Sequence, residues 1–366
     1  MRVLVMLAVA RPASAQDDST ASPTADTTAY RNRLTVLPFI AYTPETRLLF
    51  GLGGGWQFKW PGAARDAGTR ASYLAGAGTY TVRNQWGLGA ETSLFLPGNR
   101  WWLFARAQAA FFPLVYYGIG PESRRADSNR MEHRLLKIET KGLRRVTRDL
   151  YLGPYYRLHS YFDVDWQFPA RITPATRGGY GGVNSGLGVS LQLDSRSSVT
   201  TPRHGHLVTV DYLRNTRLLG SQFDYDYLLI DGRLYVPVRR GKDVLALNLY
   251  GEFNGDRVPI QTMAMISNAT TQELVRGVYL GRFRDRHELV AQADYRGHLK
   301  GRFGYVVFGS AGNVFGSGNL RDDLKFTYGA GLRFNVNPRD PLNIRVDYTL
   351  TSFGESGLSL GAAEAF

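Results

Sequence analysis

The chain has 366 residues, with 44 Lys and Arg against 31 Asp and Glu for a net charge of +13, and it holds 41 Gly, 21 Tyr, 19 Phe and no Cys. Without cysteine there is no disulfide framework, thiolate metal site or cysteine nucleophile, and the aromatic content argues against a disordered chain. No run of about 18 apolar residues is present to cross a membrane as a helix; the longest, Ala109 to Gly120, is short and carries Pro113.

Residues 1–15 read as a secretory signal, with Arg2 as the positive start, Val3 to Ala10 as the apolar core and Ala13-Ser14-Ala15 as the cleavage site. The alternative is the start of a buried strand or helix. Residues 16–33 are rich in Ser, Thr, Ala and Asp without an apolar period and read as a flexible leader. Residues 34–366 then form one domain.

From residue 34 onward the dominant period is two. Leu187, Val189, Leu191 and Leu193 oppose Gly188, Ser190, Gln192 and Asp194. Val208, Val210 and Tyr212 oppose Thr209 and Asp211, and Phe326, Tyr328, Leu332 and Phe334 oppose Lys325, Thr327, Arg333 and Asn335. Leu342, Ile344, Val346, Tyr348 and Leu350 oppose Asn343, Arg345, Asp347 and Thr349. Roughly sixteen such segments of about 9–15 residues are separated by turn signals, among them PET, PGN, RRGK and NPRDP.

A soluble β-sandwich also alternates, but its strands are shorter. A transmembrane barrel turns its apolar face to lipid and its charged face to the lumen. The persistent charged and glycine-rich face favours the barrel, as do the aromatic pairs Trp101-Trp102, Tyr116-Tyr117 and Tyr155-Tyr156 as interfacial girdles. The expected fold is therefore an all-β transmembrane antiparallel barrel of about 16 strands.

Several chemical signals carry little. Gly357-Leu358-Ser359-Leu360-Gly361 matches the serine-hydrolase elbow in letters, but falls within an alternating strand rather than a strand-to-helix turn. His204 and His206 share a strand face and read as a polar pair flanking a turn, with a surface metal pair as the alternative. The Gly51–Gly55 cluster lacks the helix of a phosphate loop. No enzyme activity, cofactor or metal is expected. The basic residues are spread over strands and loops rather than forming one stripe, so nucleic acid is not the expected partner. Contact with anionic lipopolysaccharide, or an anion-preferring lumen, is expected instead.

Four stretches resemble the BamA/TamA-type outer-membrane assembly barrels of the bacterial surface antigen family. Val275-Arg276-Gly277-Val278-Tyr279 and the strand after it resemble the family's V-R-G-(F/Y) loop. Asp194-Ser195-Arg196 with Pro202, Arg203 and Gly205 resembles its D-x-R…P-x-x-G hairpin. Phe308-Gly309-Ser310-Ala311-Gly312-Asn313-Val314-Phe315 resembles its F-x-D-x-G-N-V-F strand, and Asn343 to Tyr348 leading to Phe366 its last strands. Beyond these four, the opening hairpin, Pro38-Phe39 with Tyr42-Thr43-Pro44-Glu45-Thr46, also resembles its first turn.

The resemblance implies a sixth outer loop folded into the lumen, where Arg276 of the Arg276-Gly277 pair meets acids on the wall. Strand parity offers Asp294, with Gln292 and Arg296 on the same inward face. The family's second acid is replaced by Ser310, so the anchor is weaker or another acid substitutes. The family's periplasmic POTRA modules need roughly 75 residues each, which the leader does not offer; a separate POTRA-type or chaperone partner in the periplasm is then expected. The resemblance implies a place in the bacterial outer membrane and a role in protein insertion, assembly or export. The alternatives are a channel or structural barrel without assembly activity, or an outer-membrane phospholipase, for which no nucleophile–base pair is found. Barrel closure requires the first strand, near Leu34 to Tyr42, to pair with the last, near Gly357 to Phe366. Pro38, Gly357 and Gly361 weaken both, and Glu364 falls on the nominal lipid face beside Phe366, tolerable at the rim or if a bulge turns it inward.

Overall fold

The computed structural model describes residues 32–366 apart from 44–46, 64, 65, 67, 174, 175, 200, 268–273, 317 and 337–342. The expected signal and most of the leader, the Pro44-Glu45-Thr46 turn and the NPRDP turn lie outside the described residues.

Sixteen long strands follow one another: β1 Arg33–Thr43, β2 Arg47–Phe58, β3 Ser72–Thr81, β4 Trp86–Phe95, β5 Trp101–Phe111, β6 Asn129–Arg145, β7 Leu150–Trp166 and β8 Gly182–Asp194. The second half comprises β9 Gly205–Asn215, β10 Tyr225–Val238, β11 Asp243–Asn254, β12 His287–His298, β13 Phe303–Phe315, β14 Lys325–Asn335, β15 Asn343–Thr351 and β16 Ser356–Ala362. Each pairs antiparallel with the next, from β1 with β2 through β15 with β16. Connections at the end where β1 begins and β16 stops are mostly short turns, 59–71 being the exception, and the longest loops, 112–128, 167–181 and 255–286, lie at the other end. The longest, residues 255–286, carries its own small hairpin of Ala264–Ile266 against Phe283–Asp285.

The alternation is inside-out relative to a soluble protein. On β14, Leu332 is 62% exposed while its neighbour Arg333 is 4% exposed. Phe326 and Tyr328 likewise face out, and Lys325 and Thr327 face in. This is the pattern of a sheet whose outer face meets lipid and whose charges line an interior. Interior cations are matched across the sheet: Lys141 on β6 reaches Asp211 on β9 at 2.5 Å, and Arg106 on β5 pairs with Glu91 on β4. Arg157 on β7 lies 3.7 Å from the centroid of the Tyr227 ring on β10.

The aromatic pairs divide. Trp101 faces outward at the short-turn end, as expected for a girdle. Tyr155 instead is buried in the lumen under the Lys141 ammonium at 4.7 Å, and Tyr116 packs edge-on against Trp166 beneath the long loops. Parity decides this: the lumen-facing member of an adjacent pair cannot be part of a lipid-facing belt.

The PGN and RRGK signals form tight turns, with Gly98 and Gly241 at φ 68° and 79°. In the Asp194 hairpin, Arg196 grips Asp194 with Nε and Nη2 at 2.9 and 3.0 Å, the forked geometry that suits a carboxylate. Gly205 has φ 95°, and a Cβ there would lie 2.2 Å from the Ser195 carbonyl oxygen. Gly205→Ala should therefore cost about 1–3 kcal/mol of stability. Gly232→Ala, on β10 with only the Leu249 oxygen at 3.8 Å, should stay within about 0.5 kcal/mol. Urea unfolding in micelles, followed by the heat-modifiable gel shift, measures both; equal losses would contradict the assignment.

Candidate functional site

The long loop turns inward and is held on both sides of the barrel. At its far edge Arg282 donates to the Ser123 carbonyl at 2.9 Å and pairs with Glu355 at 3.4 Å, and Arg125 joins the same carboxylate at 2.7 Å. Apolar residues of the loop, Ile266, Leu274, Val275, Val278 and Phe283, are buried against Tyr250, Val290 and Val314 of the wall.

At the loop's deepest point Arg276 is wholly buried. Its Nη2 meets Asp294 on β12 at 2.9 Å and its Nη1 meets Asp347 on β15 at 3.3 Å. The guanidinium lies 4.0 Å from the centroid of the Phe308 ring on β13, a cation–π contact strengthened by exclusion of water. Two glycines let the loop come this close. Gly277, at φ 79°, rests on Gly357 of β16, and a Cβ on Gly357 would stand 2.5 Å from the Gly277 Cα. Gly331 on β14 serves the acid, since a Cβ there would stand 1.9 Å from Asp347 Oδ1.

Arg276 belongs to a closed ring of alternating charge. From Asp294 the ring passes to Arg296 at 3.5 Å, then to Glu364 at 3.7 Å, Arg333 at 3.0 Å, Asp347 at 2.5 Å and back to Arg276. Arg345 adds a further contact to Asp347 at 3.3 Å. Gln292 donates to Asp294 at 2.6 Å and Asn343 to Glu364 at 2.7 Å. Every acid of the ring thus touches at least two donors, which a buried carboxylate needs.

Ser310 sits on the lumen wall with its hydroxyl 2.5 Å from that of Thr327. The acid at Nη1 of Arg276 is Asp347, two strands away in the sheet from Ser310. Gly312 is needed for packing, since a Cβ there would lie 2.7 Å from Val290 Cγ2. Asn313 fastens the next loop by donating to the Leu320 and Asp322 carbonyls.

The last residues depart from the expected phase. β16 stops at Ala362, and Ala363 takes φ 65°. That left-handed residue turns Glu364, Ala365 and Phe366 into the lumen, so neither Glu364 nor Phe366 faces lipid. Phe366 packs near Tyr235 and 4.9 Å beneath Arg296, which also donates to its main-chain oxygen at 3.1 Å. Burial raises the Glu364 carboxyl, but Arg296 and Arg333 outweigh it and hold it down to about 2.

Gly357–Gly361 lies inside strand β16. His206 Nδ1 is 3.0 Å from the Ser195 hydroxyl, and among the described residues no three His, Asp or Glu side chains group as metal ligands.

The ring makes an asymmetric prediction. Its wall members alone, Arg296, Arg333 and Arg345 with Asp294, Asp347 and Glu364, balance in charge. Arg276→Ala should therefore free the loop, with protease cutting between residues 255 and 286 faster by about tenfold, a loss of roughly 1.4 kcal/mol of docking. It should leave barrel melting nearly unchanged. Asp347→Asn strands three arginines on one fewer acid and should cost the barrel about 3–5 kcal/mol. Ser310→Ala should do neither. The reverse order of barrel stabilities would refute this charge account.

No protein-family model and no curated protein matches the sequence. Among solved structures the fold is similar to BamA from Haemophilus ducreyi lacking POTRA domains 1–3, at 12% identity and TM-score 0.60 over 91% of this chain and 70% of that one. It is also similar to CdiB from Acinetobacter baumannii, at 10% identity and TM-score 0.56 over 92% of this chain, and to CdiB from Escherichia coli, at 10% and 0.55 over 90%. The chain spans 66% and 61% of the length of those two CdiB chains. The chain thus has the fold of the BamA-type barrels.

Proposed function

We propose that this chain is an integral barrel of the bacterial outer membrane that acts in the insertion, assembly or export of other chains, opening between β1 and β16. The observation that carries the reading is the state of those two strands. Among the described residues no ladder joins them. β1 is exposed on both faces, with Val36 at 56% and Leu37 at 51%. Pro38 removes one donor from it, and β16 is only 7 residues long before the chain leaves it for the lumen. A strand edge of this kind is a template for a strand of another chain, and in lipid an unpaired edge costs several kcal/mol per unsatisfied group. A client strand would relieve that cost.

The likeness to BamA and CdiB barrels supports the same reading at the level of fold. Outer-membrane lipid and lipopolysaccharide are the surroundings this reading requires, and a periplasmic POTRA-type or chaperone protein is its natural partner. Its action is mechanical rather than enzymatic.

The absence of cysteine allows the seam to be locked without background. Thr35 and Ser359 both carry lumen-side parity, so Thr35→Cys with Ser359→Cys, together with neighbouring registers, should form a disulfide across the seam. Folding of a client barrel into liposomes should stop on oxidation and resume on reduction. Full activity with the seam locked would leave a channel or structural barrel as the better account.

A further inference from the structure

The lumen arginines are matched by acids or aromatic rings, so the surplus charge of the chain must lie elsewhere. It gathers at one end. At the short-turn end, Arg144 and Arg145 close β6 and Arg148 follows it, and Arg239, Arg240 and Lys242 join β10 to β11, all exposed. Lys300 and Arg302 occupy the turn before β13, Arg100 precedes β5 and Arg203 precedes β9, again exposed. Among the described residues of this rim the one exposed acid is Asp66; Asp149 is half-buried, and Asp194 and Asp243 are buried, Asp243 pairing with Arg239 at 3.0 Å. The opposite end carries exposed arginines too, but there Glu122, Asp127, Asp163, Asp165, Asp322 and Asp323 are interleaved with them. The basic residues are spread over both ends, as the sequence suggests; the exposed acids are not, and the surplus positive charge therefore falls at the short-turn rim.

Position identifies the partner. The cations occur in five separate turns around the circumference, rather than in one patch that a compact protein would cover. They also adjoin side chains that face lipid: Arg100 precedes Trp101, Arg145 precedes Val146 and Arg302 precedes Phe303, each of these neighbours being exposed. Aromatic residues mark the headgroup level of a membrane protein, so these charges stand at the boundary between hydrocarbon and water. In barrels of this kind the short turns face the periplasm. We infer that the short-turn rim is a binding belt for anionic phospholipid headgroups in the inner leaflet of the outer membrane. The belt fixes the barrel's depth and keeps its thin seam strands in register with the bilayer.

The inference rests on the membrane-barrel reading. Its test uses the full chain folded into vesicles of phosphatidylcholine alone, or of phosphatidylcholine mixed with phosphatidylglycerol, then extracted in neutral detergent for native mass spectrometry. Phosphatidylglycerol should be retained over phosphatidylcholine by roughly tenfold or more, and the preference should fall with added salt. Combining Arg144→Gln, Arg145→Gln and Arg148→Gln should reduce it severalfold. The matched set Arg124→Gln, Arg257→Gln and Arg321→Gln at the long-loop end should not. Equal retention of both lipids by an inserted barrel overturns the inference alone, as does an equal effect of the two variant sets. Equal lipid retention with rim-dependent binding of polyglutamate overturns it in favour of an acidic protein partner. Failure to insert into either vesicle overturns the barrel reading together with it.

Discussion

A guanidinium buried in a protein interior needs partners for its charge, and Arg276 draws on β12, β13 and β15 to find them. Its two nearest carboxylates come from β12 and β15, which are held apart by two intervening strands. Only a sheet curved around the loop brings both acids within 3.3 Å of one side chain. The same need accounts for the small residues nearby. Gly277 against Gly357, and Gly331 beneath Asp347, are places where any Cβ would push the loop or the acid out of reach. Glycine placement on this side of the barrel thus follows from seating one charge.

The rest of the lumen obeys the same rule. Arg106 is settled by Glu91 on the adjacent strand, and Lys141 by Asp211 across two intervening strands. Arg157 is satisfied in part by the face of Tyr227. Because interior cations are met one by one, the net positive charge is expelled to the surface, where water and headgroups can carry it. Which end carries the surplus is then decided by the exposed acids, which lie among the long loops.

Much of this was legible from the residues. Period-two alternation gave the strand number and the sense of the two faces, because a strand's parity persists as long as its ladder does. Parity alone placed Asp294, Arg333 and Asp347 on the inner wall. What it could not supply was distance across the lumen: Ser310 and Asp347 are both inward, and choosing between them requires the depth to which the loop descends. The last residues failed for another reason. Ala363 adopts φ 65° without being glycine or asparagine, so the one mark of the break in the letters is Glu364, a charge at a position of lipid-facing parity. The reward for that strained residue is the docking of Glu364 between Arg333 and Arg296, which lie 31 and 68 residues before it, an interaction that sequence periodicity does not encode.

The ring also joins two parts that could have been independent. The loop enters it through Arg276, and the tail after β16 enters through Glu364. Between them lie Arg296 on one side and the pair Arg333 and Asp347 on the other. Withdrawing the loop removes one positive charge and leaves a wall that is balanced, with each acid still facing an arginine. Withdrawing the tail removes a carboxylate and leaves Arg296 and Arg333 sharing what remains. The cost of the two movements therefore differs: the loop is a removable guest, whereas the tail is held more firmly while the loop is present, because the cation surplus is then largest. Departure of the loop lowers that surplus and lifts Gly277 from Gly357, easing both the charge and the steric hold on β16. A loop that leaves first and a strand that follows is the order these electrostatics favour.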